Sequence, residues 1–186
     1  MSTIRVDNIL KRTGTGVITL GQSGDTIALG PGASQTGFGG VMTPSFQAYM
    51  SSSQTLSNNT DTLLQYNTEE YDTASAYDNS SNYRFTPQTA GKYFIYATAL
   101  TSGDANSSLI EGWIYLRKNG SKILESRHGE QNNYGRSAQQ HISTVVDFNG
   151  SSDYVDVYGA VNQSGGTPTI EGGQRFTRFG AYKIIE

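Results

Sequence analysis

The stretch YDNSSNYRFTPQTAGKYFIY, residues 77–96, decides the fold. YRFT at 83–86 reads as a short strand, PQTA at 87–90 as a turn, and GKYFIYATAL at 91–100 as a longer strand rich in aromatic and apolar residues. Working outward, the same texture recurs at regular spacing. SFQAYM (45–50) and TLLQYN (62–67) precede it, and EGWIYLRK (111–118), KILESRH (122–128), AQQHISTVVDF (138–148), DYVDVYGAV (153–161) and QRFTRFGAYKII (174–185) follow. Within EGWIYLRK, Trp113, Tyr115 and Arg117 fall on one face and Ile114 and Leu116 on the other, as a half-buried strand requires. KNGSK at 118–122 sets Asn-Gly between two strand patterns, the strongest short hairpin signal. No window shows a capped helical stripe, so residues 41–186 are expected to form an all-β antiparallel sandwich.

Residues 1–40 differ. Ile18, Leu20 and Gly21 in VITLG recur nine positions later as Ile27, Leu29 and Gly30 in TIALG, two short β repeats that cannot bury a face by themselves. Ile4, Val6, Ile9 and Leu10 suit a strand or arm docked on something else, and GPGASQTGFGG at 30–40 is the natural hinge. The segment is expected to be a Gly-rich, short-stranded anchoring arm that partner chains complete.

Composition narrows the function classes. A net charge of −3 leaves no positive field for phosphate, so a nucleic-acid partner is not expected. With no cysteine, disulfides and thiolate chemistry are excluded. MSTIRVDNIL lacks the apolar core of a signal peptide, and no later run reaches membrane-spanning length, so no membrane partner is expected either. The 22 Gly and 12 Tyr, with only 16% charged residues, favour strands and turns over helix.

Residues 77–96 also resemble the signature of the complement-one-q globular domain, in which Tyr-Asp leads to Phe-Thr, a short turn and Gly-x-Tyr. LRKNGSKI is similar to that family's Lys-Asn-Gly hairpin, DFNGSSDYVDVYG to its turn, Asp and alternating strand, and RFGAYKII to its closing segment, with Ala181 and Tyr182 departing from it. The resemblance covers residues 45–186 and implies a tumour-necrosis-factor-like jelly roll assembled as a homotrimer. It makes Tyr77, Phe85, Gly91, Tyr93, Trp113, Phe179 and Tyr182 structural or trimer-interface positions. Gly91, where the turn becomes a long strand, is expected to have positive φ or a close backbone neighbour. MSTIRVDN resembles the starts of structural proteins of phages, which implies a virion protein made in the host cytoplasm.

Catalytic and metal chemistry find no pattern. His128 and His141 lie on separate strands without metal-type spacing, and Ser23 in GQSGD lacks the helix of a nucleophile elbow. Asp104, Glu130, Asp153, Asp156 and Glu171 could supply oxygen ligands but have no calcium-loop spacing, and read as solvated acids. No catalytic residue, cofactor or metal is therefore expected.

Strand parity locates the functional end. Counting from YRFT, the turns at 87–90, 119–121 and 149–152 share one pole and are short, while 101–108, 129–136 and 162–173 share the other and are long. Amide, Tyr and charged groups in the long loops suit a host glycan or protein, with Asp104, Asn106, Asn132, Asn133, Tyr134, Arg136, Gln163 and Glu171 as candidate contacts. The leading expectation is a non-enzymatic trimeric fibre or spike subunit, held to other virion proteins through residues 1–40. A decoration protein that stabilises the particle and a polysaccharide-degrading tailspike are the rivals.

Overall fold

Alternation in the deciding stretch becomes β7 (Gly91–Ser102), whose odd-numbered residues Tyr93, Ile95, Ala97 and Ala99 are fully buried while its even-numbered ones face outward. The structure, a computed structural model, describes residues 42–104, 108–129 and 135–184, which fall in the unit Gly40–Glu186. The anchoring arm and its two repeats lie outside the described residues.

The remaining strands, in chain order, are β1 (Ser45–Tyr49), β2 (Gln54–Thr55), β3 (Thr62–Leu63), β4 (Thr68–Asp72), β5 (Tyr77–Asp78), β6 (Arg84–Phe85), β8 (Leu109–Lys118), β9 (Ser121–Gly129), β10 (Ser137–Phe148), β11 (Val155–Gln163), β12 (Thr169–Glu171) and β13 (Arg178–Lys183). They form two sheets, and all of their pairings are antiparallel. In the first, β10 lies along the whole of β7, while β13 and then β12 take its other side, and β1 and β4 continue beyond β13. In the second, β9, β8 and β11 run side by side, and on the other side of β11 its start pairs with β6, which carries β5, and its middle with β3. This is a jelly-roll sandwich.

The core is aromatic because each sheet sends rings inward at the same level. Phe46 of β1 stacks on Tyr77 at 4.5 Å and on Phe85 at 4.7 Å, both from the opposite sheet, and meets Phe179 edge-on at 5.0 Å. Buried phenols need partners. Tyr77 donates to the Tyr66 carbonyl, Tyr66 to that of Thr98, and Tyr93 to that of Thr89. Burial pushes the Tyr66 and Tyr77 hydroxyls far above the ordinary phenol range, so both remain donors.

The sequence pattern is realised on β8, where Ile114 and Leu116 enter the core and Trp113, Tyr115 and Arg117 turn outward. Four segments differ from expectation. TLLQYN yields only the two-residue β3, although Leu64 and Tyr66 are still buried. The charged Thr68–Asp72 pairs with β1, and Thr169–Glu171, expected within a loop, pairs with β7 because Ile170 is fully buried between turn glycines. QRFT precedes the last strand instead of belonging to it.

The short turns interlock at one pole. Asn119 donates to Asp153, Asp153 and Lys118 pair at 2.9 Å, and Asn149 Oδ1 accepts from the backbone of Ser151, Ser152 and Asp153. Gly91 has φ +131°, a region that side-chain-bearing residues avoid, so the sequence expectation of positive φ is met. In the turn between β5 and β6, the Asp78 carboxylate accepts from the backbone of Ser81, Ser80 and Asn82 and from the Asn82 amide.

Gly91→Val is expected to lose on the order of 1–3 kcal/mol to backbone strain, seen as a lower melting temperature, with Gly91→Ala intermediate. An unchanged melt would refute the strained turn. A second expectation concerns acid. Hydrogen bonds led by the Ser81 N–H hold Asp78 well below the usual carboxylate range, the Asn119 amide and Lys118 do the same for Asp153, and Lys122 and Arg127 for Glu125. Groups lowered in the folded state contribute stability above the unfolded carboxylate values, at about pH 4, and that stability is lost as pH falls through the lowered folded values. The melting temperature should therefore fall steeply below about pH 4, and Asp78→Asn should flatten the slope; equal slopes would remove Asp78 from the account.

Candidate functional site

The pole opposite the tight turns is built from strand ends that return on one another. Gly103 N–H donates to the Arg136 carbonyl, Leu109 N–H to that of Gly135, and Ser164 N–H to that of Ser108. Asp104, Arg136, Gln163 and Glu171 fall within the described residues, whereas Asn106, Glu130, Asn132, Asn133 and Tyr134 lie outside them.

The candidate contacts separate into two groups. Gln163 is a correction: its side chain turns inward and is buried, its Oε1 accepting from the Asp104 N–H at 2.8 Å, because that bond ties the end of β11 to the turn after β7. Asp104 is exposed and lies against the turn at Gly166, where a Cβ would meet its carboxylate. Arg136 and Glu171, in contrast, line one open cleft of about 340 Å³ with Leu100, Ser102, Ser137 and Phe176.

Register explains the cleft. Ser137 of β10 and Thr169 of β12 flank Ser102, and Glu171 stands opposite Leu100, so the outward face of three strands forms the floor. The loop at 172–177 forms a wall. Thr98 Oγ1 and Gln139 Nε2 both donate to the Phe176 carbonyl, and Thr177, fully buried, donates to the carbonyl of Glu171. Gly172 packs so closely on Ser52 that a Cβ would lie 2.3 Å from its backbone carbon. The Glu171 carboxylate is itself held, accepting from Ser53 Oγ at 2.9 Å and Thr169 Oγ1 at 3.2 Å. Arg136 is exposed above it, and its guanidinium has no ion-pair partner among the described residues. Phe176 leaves 39% of its surface exposed. The alternation of the sequence assigns residues 174–177 to a strand and so hides Phe176; Gly172-Gly173, a turn signal, was the available clue.

The two outward sheet faces differ. On the first sheet, Phe94, Tyr96 and Tyr182 form a contiguous aromatic group, with Phe94 and Tyr182 at 5.4 Å. Tyr96 lies over Gly180 and donates to Gln47 Oε1, burial having pushed its hydroxyl up to about 12. Tyr71 and Val145 extend this face and are 46% and 49% exposed. On the second sheet the rings are covered: Arg127 lies 4.4 Å from the Trp113 ring centre, Lys122 3.9 Å from Tyr115, and Arg117 3.5 Å from Tyr158. Arg117 also grips Asp156 through two bonds of 2.9 and 2.8 Å. Trp113 Nε1 donates to Asp61 at 2.8 Å. Of the structural or interface positions, Tyr77, Phe85, Tyr93 and Phe179 are core of the single chain, Trp113 belongs to the covered face, and Tyr182 lies on the bare one. His128 pairs opposite Gly112 and His141 opposite Thr98, in different sheets.

No protein-family model and no curated protein matches the sequence. Solved structures do match in three dimensions. Murine APRIL superposes with a TM-score of 0.57 at 9% identity, over 75% of this chain and 98% of that one. The Eiger TNF of S. frugiperda gives 0.57 at 8%, over 75% and 91%. The globular domain of zebrafish complement 1qA gives 0.54 at 12%, over 76% and 97%. At these identities the likeness is one of fold, and the fold is the jelly roll shared by tumour-necrosis-factor-like and complement-one-q domains.

Proposed function

We propose that this chain is the subunit of a non-enzymatic, homotrimeric attachment protein of a virion, fastened through residues 1–40 and engaging the host surface with the loop pole of its head. The observation that carries the reading is the bare aromatic face of the first sheet. Covering the exposed part of a ring such as Tyr71 or Tyr182 removes roughly 60–100 Å² from water, about 2 kcal/mol per ring. The edge strand β9 meanwhile exposes Ile123 and Leu124, 42% and 37% accessible. A face on one copy and an edge on the next make a heterologous contact, which forms a ring where the rotation between copies closes and a filament where it does not. A ring of three is what the resemblance to the complement-one-q domain implies.

Polarity supports an attachment role. The register β1–β13–β7 puts Ser45 level with Tyr182 and Phe94, near the tight-turn pole, so the described chain begins at the end away from the cleft. The opening MSTIRVDN supports the virion setting.

The full chain should sediment as a trimer, and Tyr182→Glu should yield folded monomers, since an unpaired charge in a buried contact costs several kcal/mol. A monodisperse wild-type monomer at micromolar concentration would overturn the assembly. Particles lacking the protein should remain intact and fail to adsorb. Fragile particles that still adsorb would instead make it a decoration protein, and turnover of host polysaccharide would make it a tailspike enzyme.

A further inference from the structure

The cleft at the loop pole has a chemistry that selects among ligands. Arg136 contributes a planar fork of N–H donors, and Glu171 contributes carboxylate oxygens already positioned by Ser53 and Thr169. Together they carry no net charge, so an anionic group near Arg136 meets the repulsion of Glu171, and a cationic group meets the reverse. Ser137 adds a hydroxyl to the lining, whereas that of the buried Ser102 is spent on the Gly103 carbonyl, and Phe176 adds a ring that is 39% exposed, with the Arg175 guanidinium 5.6 Å from its centre. Donors beside acceptors suit vicinal hydroxyls, each of which both gives and takes a hydrogen bond. An aromatic surface suits the apolar C–H face that a pyranose presents opposite its hydroxyls. At about 340 Å³ the cleft lies at the small end of ligand sites, which run from about 300 Å³ upward, and it is open to solvent as the end of a chain requires.

We infer that this cleft binds the terminal neutral hexopyranose of a surface glycan, Arg136 and Glu171 bracketing adjacent hydroxyls and Phe176 covering the C–H face. The inference deepens the attachment reading and rests on it for the biological source of the sugar. The site is compatible with the assembly proposed above. Leu100, on the cleft floor, stands four residues along β7 from Tyr96, the member of the aromatic group nearest to it on that strand, about 13 Å at strand rise. The walls are fixed before any ligand arrives, because the loop carrying Phe176 is bonded to β7 and β10 and Glu171 is bonded from two sides. Such preorganisation limits the ordering cost of binding a small ligand to the side chain of Arg136.

Saturation-transfer NMR on the full-length chain with methyl glucoside, galactoside and mannoside, each at up to about 10 mM, tests the site in the weak range expected of a single sugar. At least one hexoside should receive saturation, and Arg136→Ala and Glu171→Gln should each weaken it about tenfold or more while melting and sedimentation stay unchanged. Phe176→Leu keeps apolar volume and removes the ring, so it should lower saturation of the C–H protons even if a harsher variant fails to fold. Transfer to none of the three sugars overturns the inference, as does transfer indifferent to the substitutions or stronger binding of galactose 6-sulfate or of a cationic peptide. If the protein is trimeric and needed for adsorption yet binds no hexoside, only the sugar assignment falls. If it binds hexoside but is monomeric and dispensable for adsorption, the attachment reading falls and the site stands.

Discussion

The packing of Phe46 between two sheets is the contact on which the rest of the structure depends. Its ring is the first sheet's contribution to a cluster completed by Tyr77 and Phe85 of the second, with Phe179 closing the edge. Stacked rings from opposite sheets set the separation of the layers, and truncating such a residue typically costs about 3–5 kcal/mol. The same cluster fixes register, since moving β1 by one residue would turn Phe46 and Ala48 outward and Gln47 inward. Tyr66 and Tyr77 add polar ties without leaving their hydroxyls unpaired.

From that core the two poles diverge in character. At one, short turns are closed by Asp and Asn side chains that satisfy the backbone, Gly91 supplies a positive φ, and Gly150 permits a backbone approach to Ala90 that a side chain would block. At the other, polar groups enter the sandwich itself: Thr101, Gln140 and Gln163 are buried there, and the amide nitrogens of Gln140 and Gln163 lack hydrogen-bond partners among the described residues. Stability is thus concentrated away from the cleft, and the end with polar surface carries the candidate site.

The outward faces show how the same residue types acquire different roles. Trp113, Tyr115 and Tyr158 lie beneath Arg127, Lys122 and Arg117, whose charges are answered in turn by Glu111, Glu125 and Asp156. That face is complete within one chain. Phe94, Tyr96, Tyr71 and Tyr182 have no comparable cover among the described residues, and an aromatic sheet face that those residues leave bare is the feature that the proposed assembly accounts for.

The alternation of apolar residues in GKYFIYATAL and EGWIYLRK determined the strands and their buried faces, because side chains on an extended chain must point to opposite sides. Turn chemistry at Asn119-Gly120 and the opposed parity of the strands determined which connections share a pole, and so assigned Arg136 and Glu171 to the same end from residue order alone. What the sequence could not supply were contacts between segments distant along the chain. Thr169–Glu171 is strand only because Ile170 finds a buried place beside β7, and three residues are too few to announce this by periodicity. Gln163 has the composition of a surface contact, yet it points inward because the Asp104 N–H needs an acceptor. Phe176 reads as strand, yet the turn at Gly173 and its bonds to Thr98 and Gln139 lift it off the sheet to wall the cleft. The tertiary structure also decided which aromatic residues are covered and which are bare, since that depends on cations reaching across neighbouring strands, a relation in space that residue order does not encode.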